Sequence, residues 1–124
     1  MNHYSPFKGS TGLKRIINAT SYSLSGFKAA FFNEAAFRQI TLLNAVLIPS
    51  SFLLDVSHVE QALMIAVCLL ALIVELFNSA IEAVVDRISL EKHALSKNAK
   101  DMGSAAQFVA LRIIFITWLL ILIA

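Results

Sequence analysis

Four polar side chains interrupt a long apolar segment and are the residues best suited to chemistry. They are Glu75, Asn78, Glu82 and Asp86, at relative positions i, i+3, i+7 and i+11. At about 100° and 1.5 Å per residue, this spacing places all four on one narrow stripe of a helix, about 16 Å long. A charge near the middle of a bilayer costs at least about 2.5–3.5 kcal/mol on insertion scales, so carboxylates in such a segment indicate a specific role.

The stripe suits phosphate chemistry. Carboxylate and amide oxygens are the hard ligands that hold Mg²⁺ beside substrate phosphates. A carboxylate deeper along the stripe could accept a proton from an alcohol that arrives from the lipid phase. Two other interpretations stay open from the spacing alone: a structural seam in which the acids pair with basic residues on neighbouring helices, and a path for proton transport.

The composition predicts an all-α membrane protein with one domain over residues 1–124. Hydrophobic residues make up 58% of the chain, whereas soluble domains are about 45–50% apolar. Segments 36–54, 62–85 and 104–124 are each near the roughly 20 residues that cross a bilayer as a helix. Helices are expected because lipid offers no partner for free backbone groups.

The region before the first span predicts a helix of a different kind. Between residues 12 and 35, apolar side chains recur at helical spacing with basic ones between them. This pattern is typical of an amphipathic helix that lies in the membrane interface. Residues 1–11 are polar and predict a flexible tail.

The distribution of Lys and Arg predicts the orientation. Basic residues precede the first span and lie between the second and third, whereas the connector around residues 55–61 has none. The positive-inside rule therefore places the N-terminus in the cytoplasm and the C-terminus on the periplasmic side. The net charge of +2 gives no indication of a nucleic-acid partner, and a single cysteine, Cys68, excludes an internal disulfide.

Two further sites near the predicted cytoplasmic face could contribute. Glu34 precedes Arg38 by four residues, a spacing that predicts an i,i+4 ion pair. Asp101 is expected to cap the third spanning helix, with Gly103 and Ser104 in its first turn. No Walker A or protein-kinase motif is present, so a nucleotide would bind in another way.

Residues 12 to 118 resemble the prokaryotic diacylglycerol kinase family of small integral-membrane enzymes. The resemblance rests on Asn-Glu-Ala-Ala-Phe-Arg-Gln at 33–39, the stripe segment at 75–87, and Ala-Lys-Asp-Met-Gly-Ser-Ala-Ala at 99–106. The second and third stretches are highly specific at this separation. The first is typical of the Gram-negative branch, and a branch that phosphorylates undecaprenol shares the second but lacks this form of the first.

The resemblance implies an inner-membrane homotrimer that transfers phosphate from Mg-ATP to diacylglycerol, with active sites between subunits. It implies that Glu75, assisted by Asn78, is the general base on the lipid hydroxyl, and that Glu34 and Glu82 bind Mg²⁺. It places ATP near Arg15, Tyr22, Glu34, Glu82, Glu91, Lys92, His93, Lys100 and Asp101. It places the lipid substrate near Arg15, Glu75 and Ser104.

Four positions depart from the family pattern: Leu24, Ile40, Ala94 and Arg112. Arg112 lies inside the third span, where snorkelling or a buried pair is the simplest interpretation. Two alternative functions stay open. One is an undecaprenol kinase with the same machinery, and the other is a non-enzymatic subunit for membrane transport or assembly.

Overall fold

Four helices account for the regular structure of the described chain. The computed structural model describes residues 12–88 and 91–123. The helices are α1 (Leu13–Asn33), α2 (Ala35–Leu53), α3 (His58–Ile88) and α4 (Ala94–Ile123). Helices α2, α3 and α4 are each long and apolar enough to cross a membrane, which confirms the all-α class with three spans. The predicted tail at 1–11 lies outside the described residues.

Glu34 separates α1 from α2. Its backbone is extended, with φ −124° and ψ 112°. Arg38 reaches back to α1, and its Nη1 donates to the carbonyl oxygens of Phe31 at 2.7 Å and Phe32 at 3.4 Å. These carbonyls lie at a helix end, where intrahelical partners are missing. Neither ion pair found among the described residues joins Arg38 to Glu34, so the predicted i,i+4 pair is wrong.

Helix α3 lies between α2 and α4 and packs against both. The shared core consists of Ile40, Val67, Cys68, Ala71, Ala110 and Ile114. Small side chains at such contacts let helix backbones approach closely. Two hydrogen bonds to backbone carbonyls help to tie α4 to α3: Gln107 Nε2 donates to Ala71 O at 3.3 Å, and Trp118 Nε1 donates to Met64 O at 3.2 Å.

Helix α4 begins at Ala94, so the prediction that Asp101 caps it is wrong. His93 takes that place, because its Nδ1 accepts the Leu95 N–H at 3.1 Å and its carbonyl accepts the Lys97 N–H at 2.9 Å. Residues 94–103 are mostly good helix formers, and the helix therefore starts well before its apolar part. Asp101 instead accepts a hydrogen bond from Lys97 Nζ at 2.6 Å.

Candidate active site

The four polar residues of the stripe lie along one face of the continuous helix α3. Their exposure rises along the chain: Glu75 is 2% exposed, Asn78 and Glu82 are partly buried, and Asp86 is exposed. The stripe therefore leads from between the packed helices to the end of the bundle where the second connector lies. This gradient is what a path between a buried reaction centre and an aqueous site requires.

Two side-chain amides, those of Asn78 and Gln107, lie near enough to the Glu75 carboxylate to interact with it as donors. Neither of the described ion pairs includes Glu75. The interpretation of the stripe as a seam of paired charges therefore fails for this residue. The interpretation as a paired seam holds for Asp86, whose Oδ1 accepts a hydrogen bond from Lys100 Nζ of α4 at 2.8 Å. Glu75 is thus a buried acid held by neutral donors, a setting suited to proton transfer.

Gly103 of α4 faces Asn78 of α3 at very close range. A Cβ added at Gly103 would overlap Asn78 Oδ1. The same oxygen is buried and has no hydrogen-bond partner in the described structure. The absence of a side chain at Gly103 therefore makes room for the Asn78 amide next to Glu75.

Glu34 faces the exposed part of the stripe. Partial burial raises the pKa of Glu34 first, and the charges of Glu82 and Asp86 raise it further, whereas Lys100 opposes them. The backbone break between α1 and α2 thus brings a fourth carboxylate close enough to repel those of α3. A bound cation would relieve this repulsion.

Glu34 and Glu82 interact electrostatically across the helices, and two carboxylates are a donor set that suits a magnesium ion. Within residues 12–88 and 91–123, no group of three or more His, Cys, Asp or Glu is arranged to hold a metal. Mg²⁺ is usually bound by one or two carboxylates, with water and substrate phosphates as its other ligands. The acids present here match that pattern.

A cavity of about 610 Å³ opens between the ends of α3 and α4, beside the stripe. Ligand pockets usually measure about 300–1,000 Å³. The lining residues are Val85, Asp86, Glu91, Lys92, His93, Ala94, Ser96, Lys97, Lys100 and Asp101. Asp86 belongs to both the stripe and the cavity, so the two features are continuous.

The cavity is lined by charges of both signs, and its lysines could contact phosphate. Asp86, Glu91 and Asp101 are its acids, and Lys97 and Lys100 are paired with two of them. Lys92, Lys97 and Lys100 line it, and it also includes the first residue of α4, Ala94. A helix N-terminus carries partial positive charge and free N–H groups that favour anions. Five residues predicted for ATP from the resemblance meet here: Glu91, Lys92, His93, Lys100 and Asp101.

The structure does not bring every predicted site residue to this cavity. Arg15 and Tyr22 are exposed on α1, and neither is among the lining residues. Ser104 is exposed on α4, next to the face that Gly103 turns toward α3. The roles of these three residues stay predictions.

Two residues that contact the site were absent from the sequence-based set. Lys97 lines the cavity, and its place four residues before Asp101 could have indicated it. Gln107 contacts Glu75, and a polar residue in an apolar span is a general sign of function. Its partner could not be read from the sequence, because that depends on which face of α4 meets α3.

Comparison with known proteins decides the family. A family model described as prokaryotic diacylglycerol kinase matches residues 21–122. The chain belongs to the prokaryotic diacylglycerol kinase family. The curated diacylglycerol kinase of Pseudomonas aeruginosa is 77% identical over 119 residues, which cover 96% of this chain and 97% of that protein.

Two more distant relatives extend the diacylglycerol kinase match. The diacylglycerol kinase of Haemophilus influenzae is 53% identical over 108 residues, covering 87% of this chain and 92% of that protein. The enzyme of the same name from Escherichia coli K12 is 52% identical over 114 residues, covering 90% and 92% respectively. These matches and the three spanning helices identify a bacterial membrane protein and an enzyme of the kinase class. The family argues against the alternative of a non-enzymatic transport or assembly subunit.

Proposed function

We propose that this protein transfers the γ-phosphate of Mg-ATP to diacylglycerol, and forms phosphatidic acid, at the cytoplasmic face of the bacterial inner membrane. The observation that carries the proposal is the continuity between the buried stripe and the polar cavity, which share Asp86. One end of this path is suited to an alcohol from the lipid phase, and the other to a nucleotide from water. The names of the relatives supply the lipid class.

In the proposed reaction, Glu75 accepts the proton of the diacylglycerol hydroxyl. The hydroxyl oxygen forms a bond to the γ-phosphorus as the bond to the β–γ bridging oxygen breaks, and ADP leaves. Phosphoryl transfer depends chiefly on positioning and charge stabilisation, with little covalent work for the protein. The Asn78 amide, held beside Glu75, orients the base.

Glu34 and Glu82 would hold Mg²⁺, which neutralises phosphate charge when bound. Their repulsion is the feature of this chain that supports the assignment. Lys92, Lys97 and Lys100 would bind the phosphates from the cavity side. Lys100 already contacts Asp86 at 2.8 Å, so its ammonium group lies where stripe and cavity meet.

The proposed topology keeps the cavity in the cytoplasm, with the C-terminus in the periplasm. It rests on the basic residues around the cavity and their absence from the first connector. We also propose a homotrimer with shared sites. In that assembly Arg15 and Tyr22, which are exposed and outside the cavity of their own chain, contact nucleotide in a neighbouring subunit, and Ser104 contacts the lipid substrate.

Transfer of labelled phosphate in mixed micelles tests the proposal. Purified protein receives ATP labelled at the γ-position, Mg²⁺, and equal amounts of diacylglycerol and undecaprenol. Labelled phosphatidic acid as the main product supports the proposed substrate. Labelled undecaprenyl phosphate as the main product would show that the mechanism holds but that the substrate is undecaprenol. If folded protein forms no labelled lipid, the kinase function is contradicted.

A further inference from the structure

Gln107 occupies an unusual place for a glutamine in a spanning helix. Its side chain is 9% exposed. Its Nε2 donates to Ala71 O at 3.3 Å, and its amide also lies near enough to the Glu75 carboxylate to interact with it. Ala71 precedes Glu75 by one helical turn, so both acceptors lie on the same face of α3. The NH₂ group of Gln107 is therefore placed between the Ala71 carbonyl oxygen and the Glu75 carboxylate.

The two donors to Glu75 differ in what they can fix. Asn78 lies on α3 itself, and its hydrogen bond restrains Glu75 only relative to its own helix. Gln107 lies on α4, the helix that also carries Lys100 and Asp101 of the cavity. The interaction with Gln107 thus links the acid to the helix that lines the proposed nucleotide site.

We propose that Gln107 is a positioning residue that fixes the Glu75 carboxylate relative to the nucleotide cavity. This inference rests on the proposed function, in which Glu75 is the general base. Small misplacements of reacting groups can lower rates by about a hundredfold. A base on a flexible side chain therefore gains from a donor on a second helix.

A purely structural role for Gln107 predicts a different result. As a bridge between helices, it would add to stability, and its loss would lower stability and activity together. However, Gln107 Oε1 is buried without a partner. Leucine at this position removes the unpaired oxygen along with the donor, which offsets part of the cost of leaving Glu75 with one donor fewer. Stability and turnover should therefore separate.

The test compares Gln107→Leu with Asn44→Leu in the full-length protein. Asn44 is a matched control, because it is also buried, has an unpaired Oδ1, and donates from Nδ2 to Ile40 O of its own helix at 3.0 Å. We expect Gln107→Leu to lower kcat for diacylglycerol roughly tenfold or more, with KM for ATP and the unfolding temperature nearly unchanged. Asn44→Leu should keep the wild-type kcat.

A double-mutant cycle separates this inference from the proposed function. In a Glu75→Gln background, Gln107→Leu should add no further loss, since both changes act on one group. Unchanged kcat in Gln107→Leu, or equal losses of kcat and stability in both leucine variants, would overturn the positioning role. Wild-type turnover in Glu75→Gln alone would overturn the proposed base, whatever Gln107→Leu does.

Discussion

The contact between Gly103 and Asn78 shows how a glycine can shape a reaction centre by leaving room for a neighbouring side chain. The spacing of the stripe predicted that Asn78 lies on the same face as Glu75, because helical geometry fixes that relation within one helix. The sequence did not predict that Gly103 makes room for it. That contact depends on the register of α4 against α3, which residue spacing within one helix does not determine.

Replacing Gly103 by alanine should displace the Asn78 amide. The added Cβ would overlap Asn78 Oδ1, and the side chain would have to rotate away from Glu75. We expect turnover to fall by roughly tenfold or more, since one hydrogen bond to a charged group contributes about 1.5–3 kcal/mol. Steady-state kinetics and thermal unfolding of the same preparation measure the effect.

Gly26→Ala is the matched control for Gly103→Ala. A Cβ at Gly26 meets nothing within 4 Å, and alanine favours a helix over glycine by roughly 0.5–1 kcal/mol. This variant should keep its turnover and be slightly more stable. Equal turnover in both alanine variants would contradict the proposed role of the Gly103–Asn78 contact.

Lys100 should contribute to ATP binding more than to stability. Its pair with Asp86 lies at 2.8 Å between half-exposed side chains, and exposed ion pairs contribute only about 0–1 kcal/mol. We expect Lys100→Met to raise KM for ATP by roughly tenfold, with little change in unfolding temperature. Lys28→Met, on the exposed face of α1, is the control. The same KM for ATP in both variants would show that Lys100 does not contact the nucleotide.

At the scale of the helices, the apolar spans predicted the fold class better than they predicted helix ends. Hydropathy predicts a first span at 36–54, and α2 is Ala35–Leu53, whereas α4 starts at Ala94 and not near the predicted start of the third span at 104. Hydropathy detects the part of a helix that lies in lipid. The first turns of α4 line the cavity and are polar. Hydropathy therefore does not distinguish them from a connector between two spans.

Arg112 belongs to the lipid-spanning part of α4, and its surroundings favour a role outside catalysis. Its side chain is exposed, and its guanidinium carbon lies 4.1 Å from the centroid of the Phe108 ring on the same helix. Such a cation–π contact keeps the charge beside its own helix. We therefore expect Arg112→Leu to keep wild-type turnover and stability. A large loss of either quantity would show that Arg112 has an essential partner.

At the scale of the whole molecule, the proposed mechanism combines a buried base with an acidic metal site at the surface. Because the pKa of Glu34 is raised, this carboxylate gains a proton at a higher pH than an ordinary glutamate. Protons and Mg²⁺ should therefore compete for it under mildly acidic conditions. The Mg²⁺ concentration for half-maximal activity should increase as the pH falls.

Glu34→Gln should change that dependence. The variant should need more Mg²⁺ at every pH, and its requirement should vary less with pH. Titrating activity with Mg²⁺ at several pH values measures both effects. A chelator should stop turnover without lowering the unfolding temperature if the ion enters with the nucleotide. The same pH dependence in wild type and Glu34→Gln would exclude Glu34 from the metal site.

In the proposed mechanism a buried carboxylate, reached from the lipid phase, takes the proton while a nucleotide binds in the adjoining cavity. The most direct measurement is the rate of diacylglycerol phosphorylation by Glu75→Gln, with ATP binding and thermal unfolding measured on the same preparation. We expect the variant to fold, to bind ATP nearly as well as wild type, and to have lost most of its turnover. Turnover at the wild-type rate would contradict the mechanism.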